Sequence, residues 1–211
     1  MKHLIAAAAL VVELLLLGCG TLSPKPDSSR FFTLSALPQS EPNAAKRPGV
    51  SPGISLGVGP VSLPGYLDRQ EIVVRVAQHQ LILSENDRWA EPLEENFARV
   101  LSQNIALLLR AERINAYPWP IDRKPVYQVE IEVLRFETDA EHQAQLSTRW
   151  VVRNTSKKDS TRYHETRLSR PAQGRSTEAS VAALSEALAD LSREIAAAIE
   201  DMGGIKLSTG N

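Results

Sequence analysis

Residues 125–139 read PVYQVEIEVLRFETD. Tyr127, Val129, Ile131 and Val133 alternate with Gln128, Glu130 and Glu132, the period of two that sends alternate side chains to opposite faces of a strand. One face is apolar and the other rich in carboxylates, so the strand is expected to cover a core and turn its other side to water. The stretches HQAQLSTRWVVRN (142–154) and STRYHETRLSR (160–170) look alike in length, and NTSKKDS (154–160) between them reads as a turn. Three such strands in succession predict an antiparallel meander.

Upstream, ISLGVGPVSLP (54–64) carries Ile54, Leu56 and Val58 in strand alternation. EIVVRVA (71–77) and QLILSE (80–85) flank Gln78-His79 and read as a hairpin, and FFTL (31–34) is a further short strand candidate. WAEPLEENFARVLSQNIALLLRAER (89–113) reads as a helix. Pro92 suits its first turn, Glu91, Glu94 and Glu95 suit its positive end, and Arg110 and Arg113 suit its negative end. Leu93, Phe97, Val100, Leu101, Ile105 and Leu108 form its apolar stripe. A second helix shows in Val181, Leu184, Leu188, Leu191, Ile195, Ala198 and Met202, with Ser176 or Thr177 as cap and Gly203-Gly204 as stop. About three heptads favour packing across a sheet over a free coiled coil. The expected fold is α+β, a mainly antiparallel sheet with two long helices packed on one face.

The N-terminus has a different character. Lys2 precedes an apolar run from Leu4 to Leu17, broken only by Glu13. That run is shorter than the ~20 residues a membrane-spanning helix needs, and it suits a secretory signal. Leu16-Leu17-Gly18-Cys19 has the order of a bacterial lipobox, and Cys19 is the single cysteine in 211 residues. Residues 1–18 are therefore expected to be a lipoprotein signal peptide. Cys19 would carry a covalent diacylglycerol and an N-acyl chain such as palmitate, which are the only non-protein groups expected. A plain secretion signal with an unmodified cysteine is the alternative. Gly20, in place of an aspartate, favours the outer membrane, so the expected location is its periplasmic face in a Gram-negative bacterium. Residues 19–30 form the lipidated cysteine and a Pro/Ser-rich flexible tether, and residues 31–211 one α+β periplasmic domain interrupted by a proline-rich loop at 38–53.

Charge and chemistry narrow the function. Lysine and arginine number 24 and acidic residues 25, so the chain lacks the basic footprint of a nucleic-acid binder. With its one cysteine committed to lipid, the domain holds no disulfide. His3 lies in the leader, and His79, His142 and His164 have no second ligand at metal-binding spacing. His142 and His164 lie on neighbouring strands that could bring them together. Gly57 and Gly59 make a GxG with no third glycine and no following helix, which marks a bulge or a close backbone approach rather than a nucleotide loop. Asp68, Arg69 and Glu71 could form a catalytic group, but an ion-paired turn or an interface suits them better. The expectation is a protein that is not an enzyme and has no metal or cofactor site.

Three segments, LGVGPVSLPGYLDRQEIVVR (56–75), LSENDRWAEPLEENFARVLSQNI (83–105) and YPWP (117–120), lie in order behind the lipobox. Together they resemble the ABC-type transport auxiliary lipoproteins, specifically the paraquat-inducible protein C family. The resemblance implies an outer-membrane lipoprotein auxiliary to an MCE-type intermembrane lipid transport system that maintains envelope integrity. It implies an MCE-domain inner-membrane or periplasm-spanning protein as partner, and a homo-oligomer. A carrier with its own acyl-chain cavity and a brace for another envelope machine are the alternatives. Tyr66, Leu67, Asp68 and Arg69, an aromatic and an arginine after a Pro-Gly turn, are the candidate partner interface. Trp89 is a further candidate, although for both Trp89 and Trp119 a core or hinge role is the better reading.

Overall fold

The computed structural model describes residues 27–40, 55–111, 113–120, 124–157 and 160–203. The expected signal peptide (1–18), Cys19, the expected tether up to Pro26 and the proline-rich loop from Glu41 onward lie outside the described residues. Eight strands and two helices follow in order: β1 (Arg30–Phe32), β2 (Ser55–Ser62), β3 (Glu71–Ala77), β4 (Gln80–Trp89), α1 (Leu93–Leu109), β5 (Arg113–Ala116), β6 (Tyr127–Asp139), β7 (Gln143–Asn154), β8 (Thr161–Pro171) and α2 (Thr177–Gly203).

β6, the strand of alternating carboxylates, is the hub of the sheet. Antiparallel β7 covers one of its edges, and β8 pairs antiparallel beyond β7. Two strands share the other edge in succession. β2 runs parallel to the first half of β6, from Leu56 beside Tyr127 to Ser62 beside Glu132. β3 runs parallel to its end, with Val74 beside Thr138 and Arg75 beside Asp139. β5 lies parallel outside β2, β4 lies antiparallel outside β3, and β1 closes against β4 in parallel.

The expectation of a mainly antiparallel sheet is therefore corrected: the sheet is mixed, with parallel pairing at β1–β4, β2–β5, β2–β6 and β3–β6. The β3–β4 hairpin and the β6–β7–β8 meander are antiparallel as read, because short turns leave antiparallel neighbours no other geometry. The parallel pairs depend on long connections, chiefly the passage from β4 through α1 to β5, and local alternation carries no trace of them. β5 begins at Arg113, which the sequence reading placed at the end of the first helix; the left-handed Arg110 ends that helix earlier.

α2 lies against β6, β7 and β8, α1 lies against β2 and β5, and the two helices touch. Ala144, Leu146, Trp150 and Val152 of β7 point into the buried layer with Val129, Ile131 and Phe136 of β6, while Phe97 meets the Phe136 ring edge-to-face at 5.2 Å. On the opposite face Arg153 pairs with Glu130 at 2.9 Å, and Arg149 approaches Glu132 at 3.6 Å. α1 starts after Pro92, and Arg110 caps its far end in the left-handed conformation (φ 50°). Ser176 Oγ accepts from the Ala179 N–H at 3.1 Å, which settles the cap of α2 on Ser176.

The two glycines of β2 mark a close approach. A Cβ on Gly57 would stand 2.4 Å from Pro125 Cγ and 2.9 Å from the Trp119 ring. At Gly59, φ is +125° and a Cβ would meet Tyr117 Cβ at 2.5 Å. The YPWP segment thus folds over the GVG of β2, with Tyr117 and Trp119 in an edge-to-face pair at 5.2 Å.

Candidate partner-binding site

The loop between β2 and β3 holds the residues singled out for a partner. β2 leaves β6 at Glu132 and β3 rejoins it at Thr138, so among the described residues no strand lies beside the intervening part of β6 on that edge. Residues 63–70 occupy the excursion. The Leu67 N–H donates to the Pro64 carbonyl at 2.8 Å, the Arg69 N–H to the Leu67 carbonyl at 2.8 Å, and the Trp89 N–H to the Gln70 carbonyl at 2.7 Å. The loop is a chain of tight turns tied to the end of β4.

A buried carboxylate sits where the two strands part. The Glu137 side chain has no exposure, and its carboxylate accepts from four groups. Tyr66 Oη donates to Oε2 at 2.8 Å, and Arg75 Nε and Arg135 Nε each donate to Oε1 at 2.7 Å. The Phe136 N–H reaches Oε2 at 3.1 Å. The Arg75 guanidinium also lies over the Tyr66 ring, 5.7 Å from its centroid. Burial is the main cause that raises the Tyr66 phenol to about 12, and its bond to Glu137 adds to this. The same carboxylate raises Arg75 above the usual guanidinium value. A buried charge needs this degree of pairing, since removing it from water costs several kcal/mol.

The five candidate residues separate. Asp68 and Arg69 are exposed, and Tyr66 is half-buried with its hydroxyl committed to Glu137. Leu67 is 2% exposed and Trp89 4%, both within the apolar core. Surface for a partner on this loop therefore comes from Asp68, Arg69 and the open part of Tyr66. Glu71 pairs with Arg88 at 3.0 Å. Trp119 is partly buried over β2. His142 and His164 are not brought together: Trp150 pairs with His164 and stacks on it at 4.0 Å, far along β7 from His142. Among the described residues no cluster of three or more His, Cys, Asp or Glu side chains could hold a metal ion, and no helix is long and apolar enough to cross a membrane.

A second polar arrangement links the N-terminal segment to the core, and the sequence reading missed it. Arg30 clasps Asp87 with Nε to Oδ1 at 2.7 Å and a second nitrogen to Oδ2 at 2.9 Å, and the Thr177 hydroxyl donates to the same carboxylate from the start of α2. Burial alone would raise the Asp87 carboxyl, but the bonds from Thr177 and Arg30 outweigh it and hold it below the ordinary range. Residues 33–37 then cross the two helices. The Leu34 N–H donates to Asn96 Oδ1 at 3.3 Å, Ser35 N–H to Ser185 Oγ at 3.1 Å, and Leu37 N–H to Asn104 Oδ1 at 2.7 Å. The available signal was Asn96 and Asn104 standing beside Phe97 and Ile105 in the apolar stripe of α1, a place for amides only if their hydrogen bonds are met.

A family model described as ABC-type transport auxiliary lipoprotein component matches residues 32–196. None of the curated proteins matches the chain. Among solved structures, the crystal structure of an uncharacterized protein superposes with a TM-score of 0.66 at 19% identity, covering 81% of this chain and 98% of its own. Protein XCC0632 from Xanthomonas campestris superposes with a TM-score of 0.59 at 19% identity, over 83% of this chain and 96% of its own. Identities this low establish a shared fold.

Proposed function

Because this chain belongs to the ABC-type transport auxiliary lipoprotein component family, a family of transport components rather than enzymes, we propose that it is the outer-membrane-anchored auxiliary piece of an MCE-type lipid transport system. Cys19 carries the acyl chains, and Asp68 and Arg69 meet an MCE-domain protein of the inner membrane or periplasm. The observation that carries the reading is the family match over residues 32–196 lying directly behind the lipobox Leu16–Cys19. The β2–β3 loop supports the choice of surface. Glu137 holds the Tyr66 hydroxyl and the loop's own backbone bonds hold its turns, so Asp68 and Arg69 are presented with little ordering cost on binding. In this role the chain works as a homo-oligomer on the periplasmic face and contributes to envelope integrity.

The experiment is purification of the full-length lipoprotein, tagged after Asn211, from mildly crosslinked envelopes, with mass spectrometry of its partners. Recovery of an MCE-domain protein, lost in the Asp68→Ala, Arg69→Ala variant, is the expected result. Recovery that survives that variant moves the interface off the loop. Repeated recovery of a different machine overturns the MCE assignment. Metabolic labelling with a palmitate analogue, abolished by Cys19→Ser, tests the anchor separately.

A further inference from the structure

The β3–β4 hairpin continues past its pairing with β6. β3 joins β6 only through Val74 and Arg75, and β1 covers only Asp87–Trp89 of β4. Among the described residues no strand pairs with the outer edge of Gln80–Asn86. The tip half of the hairpin is apolar on one face: Ile82 is 50% exposed, and its cross-strand partner Val74 and Val76 of β3 are half-buried, while Leu83, 40% exposed, is on the other face. Between Glu71 and Glu85 there is no carboxylate, and Arg75 and His79 are the only basic residues. Exposed edges are ordinarily blunted with charge or covered. This one has no charge along Gln80–Leu83.

The direction of the tether identifies the cover. β1 is parallel to β4, with Arg30 beside Asp87, so the chain followed back from Arg30 heads toward the hairpin tip. Ser28 Oγ already donates to Asn86 Oδ1 at 2.9 Å. Eight residue steps separate Asp27 from Cys19, a reach of at most about 29 Å. Six steps separate Asn86 from Gln80, about 20 Å along the strand. Residues 27–30 therefore run toward the hairpin tip, and the hairpin spans much of the distance the anchor allows.

We propose that the β3–β4 hairpin lies on the membrane surface, with Val74, Val76 and Ile82, which share one face, in the headgroup region of the leaflet that holds Cys19. The proposal rests on the lipid-anchor reading above. The contact is interfacial. The polar tip Gln78-His79-Gln80 and the bare backbone groups of the edge need water or headgroups, which the hydrocarbon core does not supply. The anchor keeps the hairpin at high effective concentration beside the bilayer, so a contact too weak to hold a free domain is still populated.

The test uses the full-length acylated protein in phosphatidylethanolamine/phosphatidylglycerol vesicles. Because acylation consumes Cys19, Ile82→Cys supplies the one free thiol for an environment-sensitive fluorophore. Tyr163→Cys, on the far edge at β8 and 76% exposed, is the control. The expected result is a blue-shifted probe at 82 that loses most of its emission to spin-labelled lipid, while the probe at 163 keeps its own. Equal, weak quenching at both positions on vesicle-bound protein overturns the hairpin contact and leaves the anchor standing. A blue shift at 82 without lipid quenching shows a protein cover, such as a second copy, and overturns it too. Failure of the wild-type protein to acquire acyl chains and float with vesicles overturns the anchor reading and this proposal with it.

Discussion

The Tyr66 hydroxyl donates to Glu137 Oε2 at 2.8 Å across 71 residues of sequence, and this bond fixes the β2–β3 loop to the hub strand of the sheet. Glu137→Ala leaves Arg75 and Arg135 without their shared carboxylate and is expected to destabilise the fold by about 3–5 kcal/mol. Tyr66→Phe removes one donor to a charged acceptor and is expected to cost about 1.5–3 kcal/mol. Urea unfolding of the full chain in detergent measures both. A loss within about 0.5 kcal/mol of zero for Glu137→Ala, the range of ordinary surface changes, would mean that the network does not hold the loop.

The burial of Tyr66, together with this bond, sets an alkaline limit. The folded state holds Tyr66 protonated up to about 12, against 10.0 for the free side chain. Between these values the unfolded chain has lost the proton and the folded chain retains it, so stability falls as pH rises through the window. Below pH 10 the contribution is fully present. Tyr66→Phe should flatten this part of the stability profile, and an unchanged slope would assign the alkaline loss to other groups.

Asp87 sets the acid side. Its carboxyl is held below the ordinary carboxylate value, so its contribution is present above that value and disappears as pH falls through the lower, folded one. Thr177→Val removes the donor from α2 and should move this acid loss to higher pH. Unfolding midpoints across the acid range in the two proteins give the comparison. Coincident profiles would show that Arg30 alone sets the carboxyl.

Asn104 holds the strap at Leu37. Asn104→Ala leaves the Leu37 N–H without its acceptor and is expected to cost about 1–3 kcal/mol. The local readout is sharper than the global one: the Leu37 amide should lose its protection from hydrogen exchange while amides of β7 keep theirs. Equal loss at both places would mean that the substitution loosens the whole core instead.

Gly57→Ala places a Cβ 2.4 Å from Pro125 Cγ. The overpacking is expected to cost about 1–3 kcal/mol and to disturb Trp119, whose fluorescence offers a second signal. Gly65→Ala has open space around its Cβ and serves as the neutral comparison.

The amino-acid sequence by itself determined the elements that rest on local periodicity. The stripes of α1 and α2, the alternation of β6, the β3–β4 hairpin and the β6–β7–β8 meander are all legible because a buried face imposes a period of 3.6 or 2 on the residues that make it. Gly57 and Gly59 were legible as a close approach, though not what approached them. Asp68 and Arg69 were legible as surface. The tertiary structure alone decided the mixed order of the sheet, because β2 and β3 share one edge of β6 through connections that leave no local pattern. It also decided which candidates are buried: Leu67 and Trp89 belong to the core, and burial depends on what packs from elsewhere in the chain. The roles of Glu137, Asp87, Asn96 and Asn104 were hidden for the same reason. A polar residue in an apolar stretch reads as an interruption until its partners, in these cases as far as 57 to 90 residues away, are brought within hydrogen-bonding distance.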